Sequence, residues 1–315
     1  LDDSRLASAA YDFTFRVWNV KEDDSTITIE RGKNIWAAAM LTSTLFALVF
    51  NNHKVELWCP QEGRLVDVLL VDGHAHNVFS LSEDLLLVHF SDSYFQIWNH
   101  RSKTSYDKQS IVLPESSGEI RIRTLECAVD TGLIVVVPES LFDIFLFNFR
   151  TMLWEQALIG HQDVVRYVAL VNCSSLASCG DDLNIIIWDM LTKAALRRIV
   201  LDSSPTQLNF FLQKNWLCVV LLGSDIVLYE CDTFAEVLRS NPRDLPRSIS
   251  SVFIRDGCLY CVNKDSEECL SITIDQLEVI EPAEYTYKPY GVGELIIFNG
   301  NGVTYLDNAL VRAIR

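Results

Sequence analysis

The sequence has little positive charge and no long apolar run. Among its 315 residues, 26 lysines and arginines stand against 42 aspartates and glutamates, which gives a formal net charge of −16. Nucleic acids and anionic membranes bind clustered basic side chains, so this balance argues against a general affinity for either. No apolar run approaches the roughly 18 residues of a membrane-spanning helix, and no basic-then-apolar signal opens the chain. We expect neither membrane insertion nor general nucleic-acid binding.

Motifs of catalysis and of cofactor binding are also missing. The sequence contains no G-x-S-x-G, no P-loop, no G-x-G-x-x-G and no H-E-x-x-H. Its 6 histidines are scattered, and no cysteine lies near His74-x-His76 in sequence. We favour a solvent-facing His76 over a metal ligand. The sequence therefore predicts a protein that is not an enzyme and needs no cofactor or metal.

Most of the nine cysteines lie inside apolar segments, as Cys127, Cys179 and Cys218 do. This placement is typical of buried free thiols in a reducing compartment rather than of a disulfide framework. Cys258 and Cys261 form a C-x-x-C, but positions three apart on a strand face opposite ways, and no second pair follows at zinc spacing. We expect a cytoplasmic or nuclear protein.

What the chain does contain is a repeating unit, clearest between Gly160-His161 and Trp188-Asp189. Alternating apolar segments predict four strands here, and Asp181-Asp182 supply a tight turn between the second and the third. The predicted strands are 164–170, 176–179, 184–188 and 195–201.

This unit resembles one WD-repeat blade of a β-propeller. The resemblance implies that His161, Ser178, Asp182 and Trp188 form a hydrogen-bond network inside the blade. Such a network is structural, because buried polar groups must be paired, and we do not interpret it as a catalytic dyad.

The spacing of the unit recurs along the chain. Ser8, Asp12 and Trp18 repeat the distances between Ser178, Asp182 and Trp188, although the first unit lacks an inner strand and a Gly-His. The residues at the Trp position fall at 18, 58, 98, 147, 188, 229 and about 274. In the third unit Val88 occupies the serine position, which predicts an incomplete polar network.

The resemblance and the spacing together predict an all-β fold, a WD-repeat β-propeller of seven or eight four-stranded blades. We expect residues 1–315 to form a single domain and to be a piece of a longer chain. If the C-terminal strands complete the first blade, the count is seven; if the missing inner strand lies upstream of residue 1, it is eight. We favour eight, with a last unit over 285–314.

A binding surface is predicted where the inner strands begin. In WD-repeat proteins a recurrent contact position lies five residues after the histidine of Gly-His, which is Arg166 here. Alignment of the inner strands by their apolar pairs places Trp36, Phe79, Arg121, Gln207 and Ser250 at the same level. The first four, with Arg166, are the candidate partner-binding residues.

The resemblance leaves the partner open between two classes. We expect a non-catalytic scaffold or subunit of a multiprotein complex that binds a protein segment on the top face of the propeller. The alternative is the substrate-recognition domain of an F-box-type ubiquitin ligase, which binds an acidic or phosphorylated degron. Several F-box/WD receptors hold phosphate with arginines at the level of Arg166. They often carry another arginine just before the turn aspartate, where this chain has Asp181.

Overall fold

The alternating segments form β-strands, and the structure, a computed structural model, contains no helix among the residues that it describes. Those residues are 5–10, 14–19, 24–30, 35–42, 44–50, 53–59, 61–90, 93–111, 120–211, 214–223, 225–240, 249–255, 258–263, 269–273, 279–280, 295–299 and 302–306. Below residue 35 and above residue 248, side chains are described only for Arg16, Ile249, Val252, Leu259, Tyr260 and Cys261.

The first strands along the chain form three antiparallel sheets. Sheet 1 contains β1 (Arg5–Ala10), β2 (Thr14–Asn19) and β3 (Asp24–Glu30). Sheet 2 contains β4 (Ile35–Thr42), β5 (Leu45–Phe50), β6 (Lys54–Cys59) and β7 (Arg64–Leu70). Sheet 3 contains β8 (Ala75–Ser80), β9 (Leu85–Phe90), β10 (Tyr94–Asn99), β11 (Thr104–Ser105) and β12 (Gln109–Ser110).

Four four-stranded sheets follow. Sheet 4 contains β13 (Ile122–Ala128), β14 (Leu133–Pro138), β15 (Phe145–Asn148) and β16 (Leu153–Trp154). Sheet 5 contains β17 (Val165–Leu170), β18 (Ser175–Gly180), β19 (Asn184–Asp189) and β20 (Ala195–Val200). Sheet 6 contains β21 (Pro205–Phe211), β22 (Trp216–Leu221), β23 (Ile226–Glu230) and β24 (Glu236–Arg239). Sheet 7 contains β25 (Ile249–Arg255), β26 (Cys258–Asn263), β27 (Cys269–Thr273) and β28 (Val279–Ile280).

The last two described strands, β29 (Leu295–Asn299) and β30 (Gly302–Leu306), join sheet 1. β29 pairs antiparallel with β1, so that Ser8 lies opposite Ile297, and sheet 1 has the order β3-β2-β1-β29-β30. The described strands therefore form seven sheets. The expectation of a separate eighth unit over 285–314 is wrong for the strands that are described, because they extend the first sheet. The other two strands predicted there, 285–290 and 309–314, lie outside the described residues.

The contacts within the chain divide it into two compact units. Unit 1 comprises Leu1–Glu119 with Glu284–Arg315, and unit 2 comprises Ile120–Ala283. In unit 1, the first strands of sheets 2 and 3, β4 and β8, contact each other. In unit 2, the first strands contact in succession from β13 through β17 and β21 to β25. Within each unit, neighbouring sheets thus meet along their first strands.

Apolar layers between neighbouring sheets hold each unit together. One cluster joins sheets 2 and 3 in unit 1, and three others join sheets 4 and 5, sheets 5 and 6, and sheets 6 and 7 in unit 2. The second strands of sheets 2 to 6 are buried along almost their whole length, as in β14, where all six residues are buried. Such strands are buried on both faces, and this explains why they read as continuous apolar runs.

One register recurs in all seven sheets. In sheet 5, Leu176 on the second strand lies opposite Trp188 on the third. The equivalent pairs in the other sheets are Leu6–Trp18, Phe46–Trp58, Leu86–Trp98, Ile134–Phe147, Leu217–Tyr229 and Leu259–Ile272. The predicted Trp-position residues occupy the same place in each sheet, except that the last is Ile272 rather than residue 274.

A bulge follows the first residue of each inner strand in sheets 2 to 7. In β17 the pairing passes from Val165–Gly180 to Tyr167–Cys179, so that Arg166 is the extra residue. The equivalent extra residues are Trp36, His76, Arg123, Thr206 and Ser250. A bulged residue has no partner in the ladder, so its side chain is free of the pairing constraints on its neighbours.

Candidate functional site

The four side chains singled out in sheet 5 form one chain of hydrogen bonds. His161 contacts Asp182 through Nδ1 (2.9 Å to Oδ2) and Ser178 through Nε2 (2.7 Å to Oγ). Trp188 donates from Nε1 to the same Ser178 Oγ at 2.7 Å. The Asp182 carboxylate also accepts from the backbone N–H groups of Gln162 and Asn184. The network therefore satisfies every polar side-chain group that it buries.

The protonation states follow from this geometry. Burial lowers the pKa of His161 against the opposing effect of Asp182, so the imidazole is neutral. Burial alone would raise the pKa of Asp182, but hydrogen bonds from the Gln162 N–H and from His161 outweigh it and lower that pKa. A neutral His161 donates from Nδ1 to Asp182 and accepts the Ser178 hydroxyl at Nε2. Ser178 in turn accepts the indole N–H of Trp188.

This serine–histidine–aspartate order is also that of a hydrolytic triad, but the site excludes substrate. Ser178 is 0% exposed, and the side chains of His161 and Asp182 are 0% and 4% exposed. The serine oxygen, which would have to attack a substrate, is already bonded to both His161 and Trp188. A triad is recognised by geometry and by role, and here the geometry joins the strands of one sheet.

Other sheets carry only parts of this network. In sheet 2, the Trp58 indole donates to the Glu56 carboxylate at 3.1 Å, and both residues are buried. In sheet 3, Val88 replaces the serine, and the buried Trp98 Nε1 has no hydrogen-bond partner. The prediction of an incomplete polar network in sheet 3 is therefore confirmed. In sheet 1, Ser8 and Trp18 lie in the register of Ser178 and Trp188, whereas Asp12 lies outside the described residues.

The five predicted partner-binding residues do not lie at one level. Trp36 and Arg166 are bulged residues of β4 and β17. Phe79 lies three residues beyond the bulge of β8, Gln207 one residue beyond that of β21, and Arg121 two residues before that of β13. The alignment by apolar pairs is therefore corrected: His76, Arg123 and Thr206 take the positions assigned to Phe79, Arg121 and Gln207. Ser250 was aligned correctly.

The signal of these positions in the sequence is indirect. A bulge adds one residue that interrupts the apolar alternation, so that two partly buried residues, Arg166 and Tyr167 in β17, stand between buried ones. An alignment by apolar pairs that leaves out this extra residue is shifted by one or more residues. The residues also belong to different units, since Trp36 and Phe79 lie in unit 1 and the other three in unit 2. Gln207 has a structural contact of its own, because its amide donates to the Ile249 carbonyl at 3.1 Å and links sheets 6 and 7.

The bulged arginine of sheet 5 is held by a carboxylate. Arg166 donates from Nε to both oxygens of Asp181 at 2.8 Å, and its second nitrogen also contacts Asp181 Oδ2. The side chains are 39% and 31% exposed. The hydrogen bonds from Arg166 hold the pKa of Asp181 below its usual range, and the charge of Arg123 acts in the same direction. Asp181 is thus already bound to the guanidinium nitrogens of Arg166 that would otherwise hold a phosphate.

Arg123, the equivalent residue of sheet 4, has no carboxylate partner among the described residues. It donates through one terminal nitrogen to the Glu139 carbonyl at 3.2 Å, and its buried Nε has no partner. Arg121 is exposed. Sheets 4 and 5 therefore carry two arginines at their bulges and one carboxylate between them.

Aromatic rings occupy the corresponding positions of unit 1. The rings of Trp36 and His76 lie 5.5 Å apart between centroids, and His76 faces the buried His89 edge-on at 6.1 Å. Burial, assisted by the charge of His76, lowers the pKa of His89 to about 4. His76 is exposed, and the rings of His74 and His53 lie 4.4 Å apart between centroids in a tilted arrangement. The bulges of sheets 2 and 3 thus present an aromatic pair.

The described part of the chain holds no group of three or more histidine, cysteine or acidic side chains able to bind a metal ion. No disulfide bond joins the described cysteines, and Cys179, Cys218, Cys231 and Cys261 are buried. Burial raises the pKa of Cys231 to about 11 and that of Cys179 further.

None of the described residues belongs to a helix with the length and hydropathy needed to cross a membrane. No protein-family model matches the chain.

Proposed function

We propose that the chain is a WD-repeat-type β-propeller whose seven sheets are its blades, and that it serves as a non-catalytic protein-interaction scaffold. The shared register at the Trp position supports the architecture, because a repeat fold places equivalent residues in equivalent pairs. The network of His161, Ser178, Asp182 and Trp188 supports it further. The pairing of β1 with β29 favours seven blades over eight.

The recurring bulge of the inner strands carries the proposal of a binding surface. Bulged residues can vary in chemistry without breaking the ladder, and here they are arginine, threonine, serine, tryptophan and histidine rather than one repeated residue. Large aromatic residues and arginine are the types most often found at binding hot spots. We therefore assign partner binding to the bulges of each unit taken by itself, which are Arg123 and Arg166 in unit 2 and Trp36 and His76 in unit 1.

The burial of the serine–histidine–aspartate group supports a role without catalysis. Binding of a phosphorylated degron receives less support, since Asp181 neutralises Arg166 and would repel a phosphate. An acidic or uncharged protein segment that contacts Arg123 needs no displacement of Asp181. A scaffold is thus the function that the geometry supports best.

The test compares partners recovered by the wild-type chain with those of the double variant Arg123→Gln/Arg166→Gln. The matched control is Arg64→Gln/Arg101→Gln, since both of those arginines are exposed and paired with carboxylates in unit 1. Loss of specific partners from the first variant alone, with similar melting curves, supports the assignment. Recovery of every partner by both variants contradicts it. A third variant, Arg121→Gln, tests the residue that the alignment by apolar pairs selected.

A further inference from the structure

The outer edge of sheet 5 carries two arginines that lack acidic partners. In this acidic chain, Arg64, Arg101, Arg166 and Arg239 each pair with a carboxylate. Arg197 and Arg198, on β20, pair with none in the part of the chain that the structure describes. Each is exposed and donates instead to a backbone carbonyl, Arg197 to Thr233 and Arg198 to Gly160 at 2.8 Å. Neither positive charge is neutralised.

The contact of Arg198 with Gly160 fixes the direction of its guanidinium. A Cβ at Gly160 would lie 2.9 Å from the Trp188 ring and 3.7 Å from an Arg198 nitrogen. A larger residue would therefore disturb the loop that brings its carbonyl to Arg198. The bond uses one terminal nitrogen and leaves the other nitrogens of the fork for a ligand. A guanidinium held in this way loses less side-chain entropy on binding than a free one.

Exposed apolar residues surround Arg198. Val200 lies two positions along β20, on the same face of the strand, and is 75% exposed. Ile159, next to Gly160, is 69% exposed, and Leu196 is 58% exposed. β20 has six residues, whereas the outer strands β16, β24 and β28 of the same unit have two, four and two. Among the described strands β20 pairs only with β19, so its outer edge is open over a useful length.

We propose that this edge is a second docking surface, which binds an extended segment of a partner protein with an acidic side chain between apolar ones. The carboxylate of the segment pairs with Arg198, and its apolar side chains cover Val200 and Ile159. Charge complementarity selects this occupant, because the net charge of −16 repels an acidic segment from most of the surface. Extended segments commonly dock along open sheet edges, where main-chain groups also contribute.

The pairing of β20 sets the position of the segment. Leu196 is a bulged residue, since the register passes from Ile187–Arg197 to Trp188–Ala195. Residues 197 to 200 pair regularly with 187 to 184. The regular part of the edge is thus the part that carries Arg198 and Val200. This surface lies on the outer strand of sheet 5, three strands away from the bulge of Arg166, so the two binding proposals can fail independently.

The probe is a fluorescein-labelled nine-residue peptide of alternating leucine and glutamate, with fluorescence anisotropy as the measurement on the full chain. Arg198→Glu should weaken binding by about tenfold or more, and Val200→Ser should weaken it several-fold. The matched control is Arg150→Glu, because Arg150 is also exposed and held by backbone carbonyls, on sheet 4. The control changes the net charge equally and should bind as the wild type does.

A second experiment replaces the acidic peptide with a basic one. A leucine–lysine peptide should bind the wild type weakly and Arg198→Glu more tightly. Three results overturn the proposal: unchanged affinity of Arg198→Glu, equal weakening by Arg150→Glu, or equal binding of both peptides by the wild type. Sedimentation that shows self-association through this edge, lost in Arg198→Glu, also overturns it, since the occupant is then a second copy. Arg198→Gln replaces Arg198→Glu if the latter melts at a lower temperature.

Discussion

Single residues decide whether a buried polar group in this fold is satisfied. Sheet 5 pairs its buried His161, Ser178 and Trp188 in one network, whereas sheet 3 leaves the Trp98 indole without a partner. An unsatisfied buried donor costs about 1–3 kcal/mol. The stability of each sheet should therefore respond differently to a change at the equivalent position.

Removal of the imidazole should destabilise sheet 5. His161→Ala leaves Ser178 and Asp182 without their shared partner, and we expect the free energy of unfolding to fall by roughly 1–3 kcal/mol. Chemical denaturation followed by tryptophan fluorescence measures it. His76→Ala, at an exposed histidine, should change the value by less than about 0.5 kcal/mol. Equal effects of the two substitutions would argue against a stabilising network.

A serine in sheet 3 should supply the missing acceptor. Val88 is 0% exposed and lies where Ser178 lies in sheet 5. Val88→Ser and Val88→Ala remove similar apolar volume, but only serine can accept the Trp98 N–H. We expect the serine variant to be more stable than the alanine variant by about 1 kcal/mol in the same denaturation experiment. An alanine variant of equal or greater stability contradicts this.

Glu126 should make stability depend on pH near neutrality. Burial raises its pKa from 4.5 to about 7 in the folded chain. The folded state therefore binds more protons than the unfolded state between pH 4.5 and 7, and stability falls as the pH rises through this window. Glu126→Gln removes the effect. The free energy of unfolding of the variant should exceed that of the wild type most at pH 8, and this difference should shrink towards pH 5.

The same experiment separates Glu126 from His89. The lowered pKa of His89 acts in the opposite direction, because the unfolded state binds the proton first as the pH falls below 6.5. That effect is common to both proteins and cancels in their difference. A difference that does not vary between pH 5 and 8 would show that Glu126 does not titrate in this range.

At the scale of the element, the sequence predicts strands well and bulges poorly. β17 to β20 begin and end within one residue of the predicted bounds 164–170, 176–179, 184–188 and 195–201. The sequence does not predict the inner bulges, because two adjacent partly buried residues, such as Arg166 and Tyr167, read as an irregular strand end rather than as an inserted residue. The resemblance predicts the hydrogen-bond network of sheet 5, whereas the ion pair between Arg166 and Asp181 is visible only in the structure.

The bulge should tolerate substitution and resist deletion. Arg166→Ala removes a half-exposed ion pair and should cost at most about 1 kcal/mol. Deletion of Arg166 removes the extra residue and shifts one side of β17 by one position, which turns its buried side chains to the opposite face. We expect the deletion to cost several times more, as measured by thermal melting. Equal losses would mean that the bulge does not set the register.

At the scale of the whole molecule, the repeats can be recognised in the sequence, whereas the pairing of β1 with β29 cannot. The spacing of the Trp position follows from local pattern, so seven units can be counted from the sequence alone. The pairing of β1 with β29 joins residues from opposite ends of the chain, and no local pattern encodes such a contact. The choice between seven and eight units therefore depends on tertiary structure.

That pairing sets an order of events during protein synthesis. β1 leaves the ribosome while its partner β29 is still untranslated, and at about 5–20 residues per second the delay is on the order of tens of seconds. The four sheets of unit 2 come from one continuous stretch of chain and need nothing made after it. The nascent polypeptide thus exposes an unpaired strand edge while the residues between β1 and β29 are made. Chaperones that shield such edges should matter most for sheet 1, whose paired strands are made furthest apart in time.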